Sequence, residues 1–210
     1  MTVGRPRGAE DTAILSRADA GITWAVNVLR RSTGAARIAD MPRVEIEIRP
    51  YTNDDWEAIA RIHDAARRDE LRGSAGVEAF LTLAQTAERE GLFDGHLWVA
   101  EAGGSVAGFV ALDDDEVTWL YVDPQRYRQG IGRALLGHAV AAAGPRVEVT
   151  VLDGNPAAEA LYASEGFTVT HTRTGPLVGN ETFTATGHIM HLDKTDAPPD
   201  ERRVATVDPV

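Results

Sequence analysis

Apolar side chains alternate with charged ones near the first recognisable element, where Val44, Ile46 and Ile48 are separated by charged residues. A period of two is typical of a strand with one buried face. Three later segments have a similar apolar character: 97–100, 106–112 and 117–122. Because the Gly103–Gly104 turn joins the first two and an acidic turn joins the second to the third, the pattern predicts an antiparallel three-strand meander.

Apolar residues at helical spacing flank this meander on both sides. One set lies before it: Trp56, Ile59, Ala60, Ile62 and Ala66. It predicts a helix capped by Asp54 or Asp55, and a second helix is predicted over about 77–89. The elements predicted after the meander are a helix that ends at Gly144, a strand over 147–151, a helix after Asn155, and strands over 167–172 and 183–192.

This order of elements predicts one α/β (α+β) domain over residues 43–193, with a mixed, mostly antiparallel sheet of six to seven strands and helices on both faces. With 210 residues and 43% hydrophobic content, the chain can bury one sizeable core. Residues 1–42 form an extension with an apolar seam between Leu15 and Leu29, which fits either a docked helix or a dispensable segment. Residues 194–210 are rich in proline and charge and are expected to be disordered.

The last strand of the meander leads into a basic loop that contains glycine and opens a helix. We call residues 123–133 the phosphate-binding loop, because the first amides of a helix lack intrahelical partners and attract anions. Gly130 and Gly132 have no Cβ, so an anion can approach these amides closely. Three arginines add positive charge to an otherwise acidic chain: Arg126, Arg128 and Arg133. The loop is therefore predicted to bind a polyphosphate.

A second motif follows in residues 155–167. Asn155 is suited to cap a helix, Pro156 to occupy its first position and Gly166 to end it. In this order, the two motifs together resemble the GNAT superfamily of acyl-CoA-dependent N-acetyltransferases.

The resemblance covers roughly residues 43–193 and rests on specific positions. The first family motif is matched by Val122, Pro124, Gly130 and Gly132, and the second by Asn155, Ala158, Leu161, Tyr162, Gly166 and Phe167. One position departs from the family, because Tyr127 stands where the first motif has Arg or Gln.

The resemblance implies that acetyl-CoA is the cosubstrate and that its pyrophosphate binds to the phosphate-binding loop. The residues that it implies for cofactor binding are Leu120, Tyr121, Val122, Arg128, Gln129, Gly130, Ile131, Gly132, Arg133 and Asn155. Leu120 is expected to offer its backbone N–H to the developing oxyanion, at the point where the family splays this strand from its neighbour. Asn155 is expected to act mainly as a helix cap.

Two residues are candidates for acid and base catalysis of acetyl transfer. Tyr162 matches the tyrosine that in many family members hydrogen-bonds the CoA sulfur, and its hydroxyl is expected to stay free on the helix surface. The competing interpretation is a core tyrosine with its hydroxyl at the rim. Glu116 is the candidate base, since some protein-acetylating members carry a glutamate there and alternation puts it on one face with Leu120 and Val122. It equally fits the continuation of the acidic turn.

Composition narrows the class of partner. The formal net charge of −11 argues against nucleic acid and favours a small or peptide-like amine acceptor of neutral or positive charge. The chain has no cysteine, which excludes disulfides and thiolate metal ligands. No metal is expected, because the six histidines are scattered and His188 and His191 point to opposite faces of a strand. No apolar run is long enough to cross a bilayer, so a cytoplasmic protein is expected.

We therefore expect an N-acetyltransferase that moves an acetyl group from acetyl-CoA to a primary amine by direct transfer in a ternary complex. The alternative is a catalytically silent acyl-CoA-binding sensor or scaffold module. The sequence leaves open the acceptor, the length of the acyl group and the oligomeric state, including a homodimer.

Overall fold

The computed structural model of the protein describes residues 45–194. The expectations for the N-terminal extension and for the tail beyond residue 194 lie outside the described residues.

Within residues 45–194, seven strands form one mixed sheet in the order β1-β2-β3-β4-β5-β7-β6. The strands are β1 (Ile46–Pro50), β2 (His96–Ala102), β3 (Ser105–Asp113), β4 (Glu116–Val122), β5 (Arg146–Leu152), β6 (Thr168–Leu177) and β7 (Asn180–Asp193). Neighbouring strands are antiparallel except β4 and β5, which are parallel. The predicted meander is β2-β3-β4, and the predicted strand number and mixed topology are confirmed.

In the described part of the chain, four α-helices accompany the sheet: α1 (Trp56–Gly73), α2 (Leu83–Thr86), α3 (Ile131–Ala142) and α4 (Pro156–Ser164). The prediction of a continuous helix over 77–89 is wrong. A short 3-10 turn is followed by extended backbone at Phe80, and Thr82 then caps the four-residue α2 through reciprocal bonds with Gln85. A capping box sets where a helix starts, and here it starts α2 late.

The sheet has an apolar core on each face. Leu135, Leu136 and Tyr162 from α3 and α4 pack with Leu120 and Val122 on one face. On the other face, residues of α1 and α2 pack with aromatic side chains of β3 and β4: Ile59, Ile62, Leu83, Phe109, Trp119 and Tyr121. The prediction of helices on both faces is therefore confirmed.

Strands β4 and β5 separate shortly after they meet. They pair through Glu116 with Glu148 and through Val117 with Val149, and no further pairing joins them among the described residues. Beyond that point β4 stays paired with β3, and β5 stays paired with β7 along its length. We call the space between them the β4–β5 opening. The splay expected at Leu120 is thus present.

Candidate functional site

The phosphate-binding loop has the backbone geometry of an anion site. Arg128 has φ 69° and Gly130, the N-cap of α3, has φ 87°, so the chain twice enters the left-handed region before the helix begins. This conformation is strained for Arg128, which is not glycine. Asp123 fixes the start of the loop by accepting a bond from the Gln125 amide at 3.0 Å and pairing with Arg61 at 2.8 Å. These two contacts of Asp123 hold the loop in place and leave the first amides of α3 accessible.

A cavity of about 340 Å³ lies between this loop and α4. Six residues predicted to bind the cofactor line it: Val122, Arg128, Gly130, Ile131, Gly132 and Arg133. Ala157, Ala160, Leu161 and Ser164 of α4 form the opposite wall. Four other predicted cofactor residues, Leu120, Tyr121, Gln129 and Asn155, are not part of its lining. Basic groups at one wall and small apolar residues at the other suit an anion that carries an organic group.

The three arginines of the loop have different surroundings. Arg126 reaches back to the β2–β3 hairpin, where it donates to the Ala102 carbonyl and to Ser105 Oγ. Arg133 is paired with Glu165. Arg128 is exposed and forms no hydrogen bond or ion pair within residues 45–194. Arg128 is therefore the arginine that is free to meet a phosphate.

Tyr127 occupies the position at which the sequence departs from the family motif. It is half-buried and lines the cavity, and its buried hydroxyl has no hydrogen-bond partner in the described part of the chain. Burial raises the pKa of this phenol, with Asp69 and Glu70 adding to the effect. A neutral phenol thus stands where the motif has Arg or Gln, and its buried hydroxyl forms no hydrogen bond within residues 45–194.

Tyr162 lies within the core rather than on the surface of α4. It is 0% exposed and packs against Phe167 with ring centroids 5.8 Å apart. The expectation of a hydroxyl on the helix surface is wrong, because Ala158 and Tyr162 form the buried side of α4. Yet the hydroxyl has no hydrogen-bond partner among residues 45–194. Burial, followed by the charge of Glu70, raises the pKa of Tyr162 well above its usual value.

Asn155 acts as the predicted helix cap. Its Oδ1 accepts from the Ala158 amide at 3.2 Å. The other end of the amide faces α1, where Nδ2 donates to Glu70 Oε1 at 3.5 Å.

Glu116 does not share a face with Leu120 and Val122, so that prediction is wrong. In β3, Leu112 pairs with Val117 of β4, and the preceding residue, Ala111, pairs with Trp119. Thr118 therefore has no partner in β3 and forms a β-bulge. A bulge of one residue reverses the alternation.

The surroundings of Glu116 are acidic. Burial raises its pKa to about 7, and the charges of Glu148 and Asp113 add to the effect. These neighbours lie where β4 begins, at the end of the strand that is remote from the phosphate-binding loop.

A buried polar cluster packs against α1 and was not predicted from the sequence. We call it the Glu70 cluster, and it consists of Arg67 and Glu70 of α1, Tyr121 of β4 and Asn155 at the start of α4. Glu70 is 2% exposed and accepts from Arg67 Nη1 at 2.7 Å and from the Tyr121 hydroxyl at 3.4 Å. A signal was present, since His63, Arg67 and Glu70 follow each other at helical spacing on the side of α1 that also carries the buried Ile59 and Ile62. Charged residues on an apolar helix face require partners from elsewhere in the fold.

A small second cavity of about 10 Å³, large enough for one water molecule, lies beside this cluster on the α1 face. We call it the α1-side cavity, and its lining includes His63, Arg67, Glu90, Tyr121, Val178 and Asn180. Burial raises the pKa of Glu90 to about 7, against the opposing charge of Arg67. Burial also lowers the pKa of His63, so its ring is neutral near pH 7. The turn between β6 and β7 closes the cavity through a bond from Asn180 to the Ala79 carbonyl at 3.1 Å.

One histidine lies in a group that sequence spacing did not reveal. His188, Asp153 and Glu159 come from β7, a loop and α4, and their potential metal-ligand atoms lie within 4.8 Å of one another. His188 Nε2 is 3.7 Å from an oxygen of each carboxylate. Asp153 is exposed, and exposed acidic groups of this kind are common without a metal ion, so the group by itself does not indicate a metal site.

Comparison with known proteins agrees with these features. Residues 93–169 match the family model of an acetyltransferase (GNAT) domain. Among curated proteins, the peptidyl-lysine N-acetyltransferase YjaB of Salmonella typhimurium is 35% identical over 97 residues. That match covers 43% of this chain and 66% of the relative, slightly less than two thirds of its length.

Solved structures are similar over a larger part of the chain. The yncA protein of Salmonella typhimurium, described as a putative acetyltransferase with its cofactor acetyl-CoA, has a TM-score of 0.55 at 24% identity, over 74% of this chain and 98% of that one. Apo YjaB of Escherichia coli has a TM-score of 0.50 at 25% identity, over 70% and 97%. No helix within residues 45–194 is long and apolar enough to cross a membrane.

Proposed function

Because the chain belongs to the GNAT superfamily of N-acetyltransferases, we propose that it transfers an acetyl group from acetyl-CoA to a primary amine of a small molecule or peptide. The observation that carries this proposal is the adjacency of the anion-binding geometry at the start of α3 to the β4–β5 opening. Transfer is direct, within a ternary complex, and the acceptor is neutral or positively charged. A cytoplasmic location belongs to the same proposal.

The residues around the phosphate-binding loop fit acetyl-CoA. The pyrophosphate would be held by the amides at the start of α3 and by Arg128, while the pantetheine chain would follow the small residues of α4. A Cβ built on Gly130 meets nothing within 4 Å, so the space in front of this residue is open to a ligand. When bound, acetyl-CoA supplies the thioester that acylates the amine.

The β4–β5 opening supplies a hydrogen-bond donor for the oxyanion. The amide of Asp123, just after β4, donates to the Ala107 carbonyl on the β3 side at 2.8 Å. Because N–H groups alternate in direction along a strand, the amide of Leu120 points the other way, toward β5. The strands are no longer paired there, so this N–H lies in the opening. A fixed backbone donor of this kind stabilises negative charge that develops on a carbonyl oxygen.

Tyr162 is the proposed acid for the leaving thiolate. Its hydroxyl is buried and has no other partner in the described chain, and its high pKa keeps it protonated. A protonated phenol can give its proton to a thiolate as the C–S bond breaks. Its neighbour Leu161 lines the cavity proposed for the cofactor, which puts this part of α4 beside the cofactor path.

Thiol release tests the proposal. The protein is mixed with acetyl-CoA and a panel of primary amines, and amine-dependent release of CoA thiol together with N-acetylated product is the expected result. The second candidate function is a silent acyl-CoA-binding module, which Tyr127 favours because it replaces the motif's Arg or Gln. A raised melting temperature with acetyl-CoA but no thiol release with any amine supports the silent module.

A further inference from the structure

The reaction needs a group that takes a proton from the ammonium form of the acceptor, and the Glu70 cluster offers one that the family motifs do not contain. We propose that Tyr121 is the catalytic residue that accepts this proton and that Glu70 is the positioning residue that receives the proton of Tyr121 in turn. This inference rests on the proposed function and assigns the base of that same site.

Glu70 lies at a point where several elements of the fold meet. Its carboxylate contacts three different elements: Arg67 of its own helix at 2.7 Å, the Tyr121 hydroxyl of β4 at 3.4 Å and the Asn155 amide at the start of α4 at 3.5 Å. β4 and the start of α4, which directly follows β5, flank the β4–β5 opening. Glu70 is therefore the carboxylate that joins both sides of the opening.

Tyr121 lies between the β4–β5 opening and the α1-side cavity. This residue follows Leu120, whose amide points into the opening, and its own side chain projects to the α1 face and lines the α1-side cavity. Its ring lies 4.9 Å from that of His63, which is paired with Asp64 at 3.0 Å and is thus already engaged. The cavity has room for one water molecule or an amino group of similar size, and a nitrogen placed there would meet the Tyr121 hydroxyl before Glu70, which does not line the cavity.

The two candidate carboxylates, Glu70 and Glu116, lie near different charged and titratable groups. Burial is the largest cause that raises the pKa of Tyr162 and of Tyr121, and the charge of Glu70 is the second largest. The charges that act on Glu116 are those of Glu148 and Asp113. At about 3.3 Å per residue, Glu116 begins roughly 13 Å along the strand from Leu120. Glu70 is thus close to the proposed acid, whereas Glu116 is remote from it.

The charges around Glu70 suit its role. Arg67 pairs with the Glu70 carboxylate at 2.7 Å and holds it in place, and burial of both groups excludes water that would compete for the proton. Glu90 lines the α1-side cavity, and above its raised pKa of about 7 its negative charge favours a cationic amine nearby. His63 is neutral near pH 7 and adds no opposing charge.

The proton and electron balance closes with these residues. The ammonium gives a proton to the Tyr121 oxygen as the Tyr121 proton moves to Glu70, which leaves a neutral amine. Its lone pair forms the C–N bond to the thioester carbon, and the C–S bond then breaks with both electrons on sulfur. Tyr162 protonates the thiolate and regains a proton from the new amide nitrogen. Glu70 returns its proton through Tyr121 to solvent after the product leaves.

Isosteric variants test the assignment through kcat, its pH profile and the melting shift caused by acetyl-CoA. Glu70→Gln and Tyr121→Phe should each lower kcat about a hundredfold at pH 7, in the range of general-base catalysis. The defect should shrink toward pH 10, where more amine is already neutral, and the acetyl-CoA shift should stay as in the wild type. Glu78→Gln and Tyr51→Phe, which make the same substitutions outside the cluster, should resemble the wild type.

Glu70→Gln leaves Arg67 buried without its partner, so an Arg67→Gln/Glu70→Gln double variant controls for folding. It removes both charges and should recover stability but not activity. Recovery of wild-type kcat in the double variant, or a Glu116→Gln defect larger than that of Glu70→Gln, overturns the assignment. Equal, pH-independent loss also overturns it, because an ion pair with only a structural role has no reason to respond to amine ionisation.

Failure of the proposed function gives a different pattern. If the wild type binds acetyl-CoA but no amine releases thiol, the acetyltransferase proposal falls and the base assignment falls with it. If the wild type and Glu70→Gln release thiol at the same rate, the acetyltransferase proposal stands and only the base assignment is overturned.

Discussion

Arg133 Nε donates to Glu165 Oε1 at 2.6 Å, and this pair ties the first turn of α3 to the end of α4. Arg133 also lines the cavity proposed for acetyl-CoA. In the absence of ligand, part of the positive charge of the phosphate-binding loop is therefore neutralised by Glu165.

Glu165→Gln should free Arg133 for the cofactor. We expect acetyl-CoA affinity to rise about two- to fivefold, because an exposed ion pair contributes up to about 1 kcal/mol. Isothermal titration at low salt measures the change, and the gain should fade as ionic strength rises. Arg133→Gln should have the opposite effect. Affinity that is unchanged in both variants would mean that Arg133 stays with Glu165 when the cofactor binds.

Gly132→Ala should weaken acetyl-CoA binding while the fold stays intact. A Cβ at this position lies 3.4 Å from Leu161 Cδ2 and 3.6 Å from Val122 Cγ2, which is ordinary contact, but it adds a methyl group to the cavity wall. We expect an increase in Kd of about tenfold, or 1.4 kcal/mol, because phosphate oxygens can no longer reach the amide.

Gly137→Ala is the matched control, since its Cβ meets nothing within 4 Å on the exposed side of the same helix. It should stabilise α3 by about 0.5–1 kcal/mol and leave the Kd unchanged. Equal affinities of the two alanine variants would contradict the position of the pyrophosphate.

Short-range patterns in the sequence predicted most of the phosphate-binding loop and its surroundings. Asn155 caps the helix that begins at the next residue, and Gly130 takes the left-handed conformation just before α3. Such features depend on neighbours along the chain, so their residue types are visible in the sequence. The same holds for α2, because the Thr82 and Gln85 pair indicates where this helix starts. The prediction followed the apolar spacing instead and placed the start too early.

Features that depend on distant residues could not be predicted in this way. The contact between Asn155 and Glu70 joins residues 85 positions apart. No glycine or proline marks the bulge at Thr118 in the sequence, yet the bulge turns Glu116 away from the face of Leu120. For both reasons the sequence pointed to Glu116, whereas the folded chain brings Glu70 to the site.

The stability of the protein should fall between pH 5 and pH 8. Burial raises the pKa of both Glu90 and Glu116 from 4.5 to about 7, so the folded state holds protons that the unfolded state has lost. This contribution is complete below about pH 4.5 and is lost as the pH rises through 7. Each group contributes on the order of 2 kcal/mol, after allowance for its partial exposure.

Urea unfolding at pH 5 and pH 8 checks this prediction. Glu90→Gln and Glu116→Gln should each flatten the pH dependence and raise stability at pH 8, whereas Glu78→Gln, at an exposed position, should leave it as in the wild type. A stability that rises from pH 5 to pH 8 would contradict the buried placement of both carboxyl groups.

Tyr162→Phe should separate activity from stability. The hydroxyl is buried and has no hydrogen-bond partner within residues 45–194, so its removal costs the fold nothing and should raise stability by up to about 1 kcal/mol. Because the same hydroxyl is the proposed acid for the thiolate, kcat should fall about a hundredfold while acetyl-CoA affinity scarcely changes. Thermal unfolding, cofactor titration and steady-state kinetics on one preparation measure the three quantities. A thioester of a more acidic thiol, which leaves without a proton, should recover much of the lost rate. If the variant is less stable and fully active, the hydroxyl has a structural partner and the acid must be sought elsewhere along the β4–β5 opening.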